Sequence, residues 1–133
     1  MMAVDSSVAV AAFASWHEKH EPARRLIDDG ARLIEHCAIE TYSVLTRLPA
    51  PHRAPAPVVR DFLRDRFPEP FLRLSRTAQR RFLLRLPELT IVGGAVYDAL
   101  IAATAAHVGA EMVTCDRRAQ SVYEKYDLRV KVI

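Results

Sequence analysis

The chain has 133 residues, half of them apolar and 26% charged, with a formal net charge of +3. That length suits one domain, residues 1–133, built round one core, and the composition excludes a disordered or fibrous protein. The longest apolar run, residues 99–106, is far short of the roughly 20 residues that cross a bilayer, and the start lacks the pattern of an export signal, so a cytoplasmic location away from membranes is expected.

Residues 2–5 form a short apolar strand, and Ser6 and Ser7 precede the apolar stretch 8–14, which has helical length. Pro22 can open a second helix that Gly30 stops, and residues 31–34 can form a second strand. Over 38–48, Ile39, Val44, Leu45 and Leu48 recur near helical spacing until Pro49 ends the helix. A Pro-rich loop, 49–57, then leads to two amphipathic helices, one carrying Val59, Phe62 and Leu63, the other Leu74, Ala78, Phe82 and Leu86. Pro68 and Pro70 separate them.

After Pro87 the pattern changes to strand 89–92, a Gly93-Gly94 turn, helix 97–107, strand 111–114, helix 119–126 and strand 129–133. Such alternation predicts an α/β fold with a mainly parallel sheet covered by helices. Trp16 is expected to pack at the end of the first helix. His17 and His20 are one residue short of the helical zinc-protease spacing and are expected in solvent. Two cysteines, Cys37 and Cys115, make no disulfide framework and neither has the setting of a nucleophile.

Four acids fall at informative places. Asp5 ends the first strand, Glu40 lies in the helix after the second, Asp98 opens the helix after the third, and Asp116 follows the fourth. Parallel α/β sheets bind ligands at their carboxyl edge, so these side chains can converge on one crevice. Two carboxylates ~4 Å apart repel by about 4 kcal/mol at an effective dielectric near 20, and a divalent cation reverses that sign. An all-oxygen set suits Mg²⁺ or Mn²⁺, and such ions serve phosphodiester hydrolysis. Taken singly, Asp98 and Asp116 are equally readable as helix-terminus devices and Glu40 as a surface acid. Asp5 is harder to explain that way, because a carboxylate closing an apolar strand needs a partner.

The sequences Val-Asp-Ser-Ser at 4–7, Glu-Thr-Tyr-Ser-Val-Leu-Thr-Arg-Leu-Pro at 40–49, Tyr-Asp-Ala-Leu-Ile-Ala-Ala-Thr-Ala at 97–105 and Val-Thr-Cys-Asp-Arg-Arg-Ala at 113–119 together resemble the PIN-domain toxins of VapC type. The similarity runs over nearly the whole chain, and its two C-terminal motifs are the specific ones. It implies a three-layer α/β/α domain acting as a metal-dependent endoribonuclease, the toxin of a toxin–antitoxin pair. Asp5, Glu40, Asp98 and Asp116 would bind Mg²⁺ or Mn²⁺ and activate water against RNA. Ser6 and Thr114 match the small polar residues that support such a site, with helix capping as their other reading. A homodimer and a VapB-type antitoxin, whose C-terminal segment and an Arg block the groove, are implied as partners.

Charge is unevenly placed. Residues 47–86 hold ten Arg against three acids, a local balance of +7 in a chain of net +3, so the remainder carries −4. A basic segment beside an acidic remainder fits a polyanion held at one place and a cation at another. Arg76 and Arg80 in that segment, with Arg117 and Arg118 beside Asp116, are the RNA-contact candidates, against the reading of a solvated helix face. Two rivals stand: a metal-dependent phosphatase with Asp5 as nucleophile, which lacks a second acid at Ser7, and a non-catalytic RNA-binding or assembly module.

Overall fold

Every strand of the computed structural model, which describes residues 1–133, is parallel to its neighbours. The chain runs β1 (Met2–Val4), α1 (Ser6–Phe13), α2 (His20–Asp28), β2 (Arg32–Leu33), α3 (Glu35–Arg47), α4 (Ala56–Arg66) and α5 (Arg76–Arg85). It continues through α6 (Ala95–His107), β3 (Glu111–Thr114), α7 (Gln120–Tyr123), a 3₁₀ turn (Glu124–Tyr126) and β4 (Val130–Val132). The sheet order is β2-β1-β3-β4, with Val4 opposite Leu33 on one side and Val113 on the other. Helices cover it to make three layers, α/β/α.

Small side chains bring the helices close to this short sheet. Val8, Ala9, Ala11 and Ala12 of α1 are buried, as are Ala99, Ala102 and Ala105 of α6. They join Val4, Leu33, Met112 and Val113 of the strands in one cluster, except Ala99, which packs with Leu86 and Ile91 in a smaller one. Alanine also has the best helix propensity, so the same residues form the helix and permit its close approach. Phe62 and Phe67 meet edge to face at 5.9 Å between ring centres, sealing α4 to the core as the apolar pattern predicts.

Several element readings change. Residues 89–92 are not a strand: Thr90 takes a left-handed φ of 57°, and Ile91 N–H donates to the Leu86 carbonyl at 3.1 Å. Ile91 alone buries there while Val92 is 76% exposed, so the apolar run closes a turn instead of joining the sheet. Helix α3 starts at Glu35, α6 at Ala95 and α4 inside the Pro-rich stretch at Ala56, where proline is tolerated in the first turn. Trp16 is half exposed and its ring lies against His52, 4.2 Å between centres and tilted by 36°. His17 and His20 are half-buried: His17 Nδ1 accepts from the Lys19 N–H, and His20 Nδ1 lies 2.9 Å from the Ala11 carbonyl.

A contact outside the regular strands shapes the surface near α3. Leu72 N–H donates to Leu33 O at 2.9 Å and Glu35 N–H to Leu72 O at 2.8 Å, so residues 71–75 lie alongside the entry to α3. This segment walls one side of a cleft.

Met112 is fully buried in β3, between β1 and β4. Met112→Ala is expected to lower unfolding free energy by about 2–5 kcal/mol, read as a reduced urea midpoint with an unchanged slope.

Candidate active site

Asp5 is the N-cap of α1: its backbone is extended, and its Oδ1 accepts from Ser7 N–H at 3.0 Å, from the Ser7 hydroxyl, and from Val8 N–H at 3.4 Å. Its Oδ2 accepts from the Tyr123 hydroxyl at 2.7 Å. The residue is only 3% exposed, and these donors meet the demand a buried carboxylate makes. Burial, then the Asp5 charge and hydrogen bond, pushes the Tyr123 phenol far above its ordinary range, so it stays a neutral donor.

Ser7, not Ser6, hydrogen-bonds to Asp5. The Ser7 hydroxyl touches Asp5 and Thr114 Oγ1, the latter at 3.2 Å, and accepts from Cys115 N–H at 2.8 Å. Ser6 is the first residue of α1, and its side chain makes no hydrogen bond; Asp5 already occupies the capping position. Thr114 is fully buried, and its Oγ1 accepts from Asp116 N–H at 2.9 Å, fixing the turn that carries the last acid. Asp116 Oδ1 in turn accepts from Arg118 N–H at 2.9 Å and lies 3.4 Å from Arg118 Nε.

β1 and β3 are adjacent, so Asp5 and Asp116 emerge beside each other at the carboxyl edge. Glu40 comes from the middle of α3 and Asp98 from the first turn of α6. Because 89–92 is a turn, α6 itself delivers Asp98. Burial, with the charges of Asp116 and Asp5, pushes Asp98 above the usual carboxylate range. Burial also raises Glu40, His36 opposes this, and Asp98 and Asp5 add to it. The four acids therefore share one electrostatic field.

His36 Nε2 lies 3.4 Å from Glu40 Oε1, an ion-pair distance; that oxygen is withdrawn from solvent and has no hydrogen-bond donor. No three His, Cys, Asp or Glu side chains are gathered tightly enough to hold a metal ion directly. The residues still fit a hard divalent cation: the donors are all oxygen, they repel one another, and Glu40 Oε1 accepts no hydrogen bond. Mg²⁺ keeps several waters and needs only one or two direct carboxylates. Burial, then the Asp5 charge, raises both cysteine thiols, which leaves them poor nucleophiles.

The basic segment divides in two. In α4, Arg60 pairs with Asp61, Arg64 with Asp61 and Asp65, and Arg66 with Asp28. Arg76 and Arg80 of α5 are exposed and unpaired, and Arg117 likewise makes no ion pair. Tyr123, Ser7 and His36 were not legible as site residues: a Tyr in a late helix has no local signature, and Ser6 and Ser7 look alike until the helix start is known.

The carboxyl edge of a parallel α/β sheet is where such folds bind ligands, and an all-oxygen set of acids there suits a hard cation. Residues 2–125 match the PIN domain family. Ribonuclease VapC40 of Mycobacterium tuberculosis is 45% identical over 133 residues, spanning 100% of this chain and 99% of that protein. Ribonuclease VapC27 of the same organism is 43% identical over 137 residues, spanning 98% and 96%. The crystal structure of FitAcB from Neisseria gonorrhoeae shares the fold, with a TM-score of 0.68, 16% identity and 98% and 96% of the two chains covered. The chain belongs to the VapC ribonucleases of the PIN-domain family.

Asp98 has its folded-state pKa raised, so its contribution to stability is present at low pH and is lost as pH rises through that value. In EDTA, Asp98→Asn is expected to melt at a higher temperature than the wild type near pH 7. The gap should close as the pH falls and wild-type Asp98 takes up its proton. Thermal melts across pH check both parts.

Proposed function

We propose that the protein is a metal-dependent endoribonuclease, residues 1–133 acting as one domain, and the toxin of a VapBC-type toxin–antitoxin pair in the cytoplasm. The observation that carries the reading is the position of Asp5 and Asp116 just after the adjacent strands β1 and β3, with Glu40 on α3 and Asp98 in the first turn of α6, in a chain that matches the PIN domain over residues 2–125. These acids would hold Mg²⁺ or Mn²⁺, which supplies positive charge for the phosphodiester and lowers the pKa of a bound water. The chain's own residues do the positioning: Tyr123 and Ser7 fix Asp5, Thr114 fixes the backbone of Asp116, and Arg118 tempers the negative field at the mouth.

Asp5 argues against the phosphatase rival. Both its oxygens are engaged by donors and the residue is 3% exposed, leaving no open face for in-line attack on phosphorus. No helix is long and apolar enough to cross a membrane. Exposed Tyr42, Val58, Leu83 and Leu84 support protein interfaces, and the reading assigns them to a homodimer and to the antitoxin, whose Arg would meet the acidic groove.

Purified protein with labelled RNA and Mg²⁺ or Mn²⁺ is expected to cleave, and Asp98→Asn and Asp116→Asn to lose cleavage by at least about a hundredfold while keeping their fold by circular dichroism. Unchanged cleavage by the folded variants removes the site assignment. RNA binding without cleavage moves the reading to the non-catalytic module.

Arg76→Ala with Arg80→Ala should weaken RNA binding and reduce the salt slope of the association constant by about one per lost phosphate contact, whereas Arg60→Ala should change neither, because Asp61 already neutralises that side chain. Filter binding at several salt concentrations reads both slopes.

A further inference from the structure

An aromatic pair stands at the edge of the acidic site. The rings of His36 in α3 and Tyr97 in α6 are stacked, 5.3 Å between centres and 8° from parallel. His36 reaches Glu40 on one side, and Tyr97 immediately precedes Asp98 in the chain. Tyr97 is 58% exposed although its ring rests on His36, so it keeps a large aromatic surface open to solvent beside two of the four acids. An aromatic ring fixed by one stack and otherwise open to solvent is a preformed platform on which a further flat group can stack.

The pair borders a cleft of about 400 Å³ whose lining includes His36 and Ile39 of α3, Arg73, Arg76, Gln79 and Leu100. Its far wall is the segment that the Leu33–Leu72–Glu35 hydrogen bonds hold beside α3. Tyr97, Leu100 and Thr104 share one face of α6, so Tyr97 lies at the end of the cleft nearest Asp98. Arg73 and Arg76 are exposed and without acidic partners, unlike the paired arginines of α4. The cleft therefore offers two free guanidinium groups and an amide, and His36 on its wall joins it to the ring of Tyr97 on one side and to Glu40 on the other.

We infer that this cleft is a nucleotide subsite, in which a base of single-stranded RNA next to the cleaved phosphate stacks on the open face of Tyr97 and the following phosphate meets Arg73 and Arg76. The inference rests on the ribonuclease reading and adds to it the means of holding substrate. Unpaired RNA is the fitting ligand, because its bases can leave the helix and present a π-face, whereas paired bases cannot reach a side-chain platform. His36 backs the ring of Tyr97, which preorganises the platform and links substrate to Glu40.

The test uses the full chain carrying Asp116→Asn to prevent cleavage, with Mg²⁺, and a short single-stranded uridine-rich RNA carrying one 2-aminopurine at successive positions. At one position the fluorescence should be quenched on binding. Tyr97→Ala and Tyr97→Leu should abolish that quenching and weaken affinity about tenfold, and Tyr97→Phe should retain both. Removing the base at that position should weaken binding to the parent but not to Tyr97→Ala. Absence of quenching in the parent, quenching that survives in Tyr97→Leu, or an equal penalty for the missing base in all proteins overturns the subsite. Cleavage by the wild type, measured in parallel, keeps the two readings apart: Tyr97-dependent quenching without cleavage supports the subsite and rejects the nuclease, and cleavage without it does the reverse.

Discussion

The buried carboxylate of Asp5 is the constraint on which the rest of the site depends. A carboxylate this far from water is stable only if donors surround it, and the donors come from two directions. The start of α1 supplies backbone N–H groups and the Ser7 hydroxyl; α7, more than a hundred residues later, supplies the Tyr123 hydroxyl. The same ion that starts the first helix therefore ties the two ends of the chain together. Its charge is then felt by Glu40, Asp98, Cys37, Cys115 and Tyr123.

This arrangement places like charges close together. Burial raises the pKa of both Asp98 and Glu40, and the Asp5 charge adds to each. A protein that only needed a stable fold would place amides or apolar side chains there. Sites that bind a cation accept that repulsion in advance so that binding relieves it. The Ser7–Thr114 contact couples the cap of α1 to the turn after β3, and so holds Asp5 and Asp116, which follow neighbouring strands, in fixed relation.

Positive charge is organised by a similar economy of partners. Acids one residue away occupy Arg60 and Arg64, and Asp28 occupies Arg66, so α4 presents little free charge despite its composition. The arginines of α5 have no such neighbours, and Arg73 and Arg76 turn toward the cleft beside α3. The useful cationic surface is therefore a subset of the basic segment, and it adjoins the acids through His36 and Tyr97.

Much of this was readable from the residues alone. The alternation of short apolar runs with helical stretches announced the parallel sheet, because buried strands and amphipathic helices have different periods. The four acids and the motifs around them pointed to the PIN-domain family, since those signals lie within a few consecutive residues. Residues 89–92 misled because a turn that buries one apolar side chain carries the same local pattern as a strand. The role of Ser7 over Ser6 waited on knowing that Asp5 itself begins the helix. Tyr123 on Asp5, His36 against Tyr97, and the division of arginines into paired and free join residues distant in the chain. The sequence by itself determined which chemical groups are available and which local elements carry them; only the tertiary structure decided which groups meet, because hydrogen bonds and stacking act over a few ångströms and depend on how α1, α3, α6 and α7 pack around one sheet.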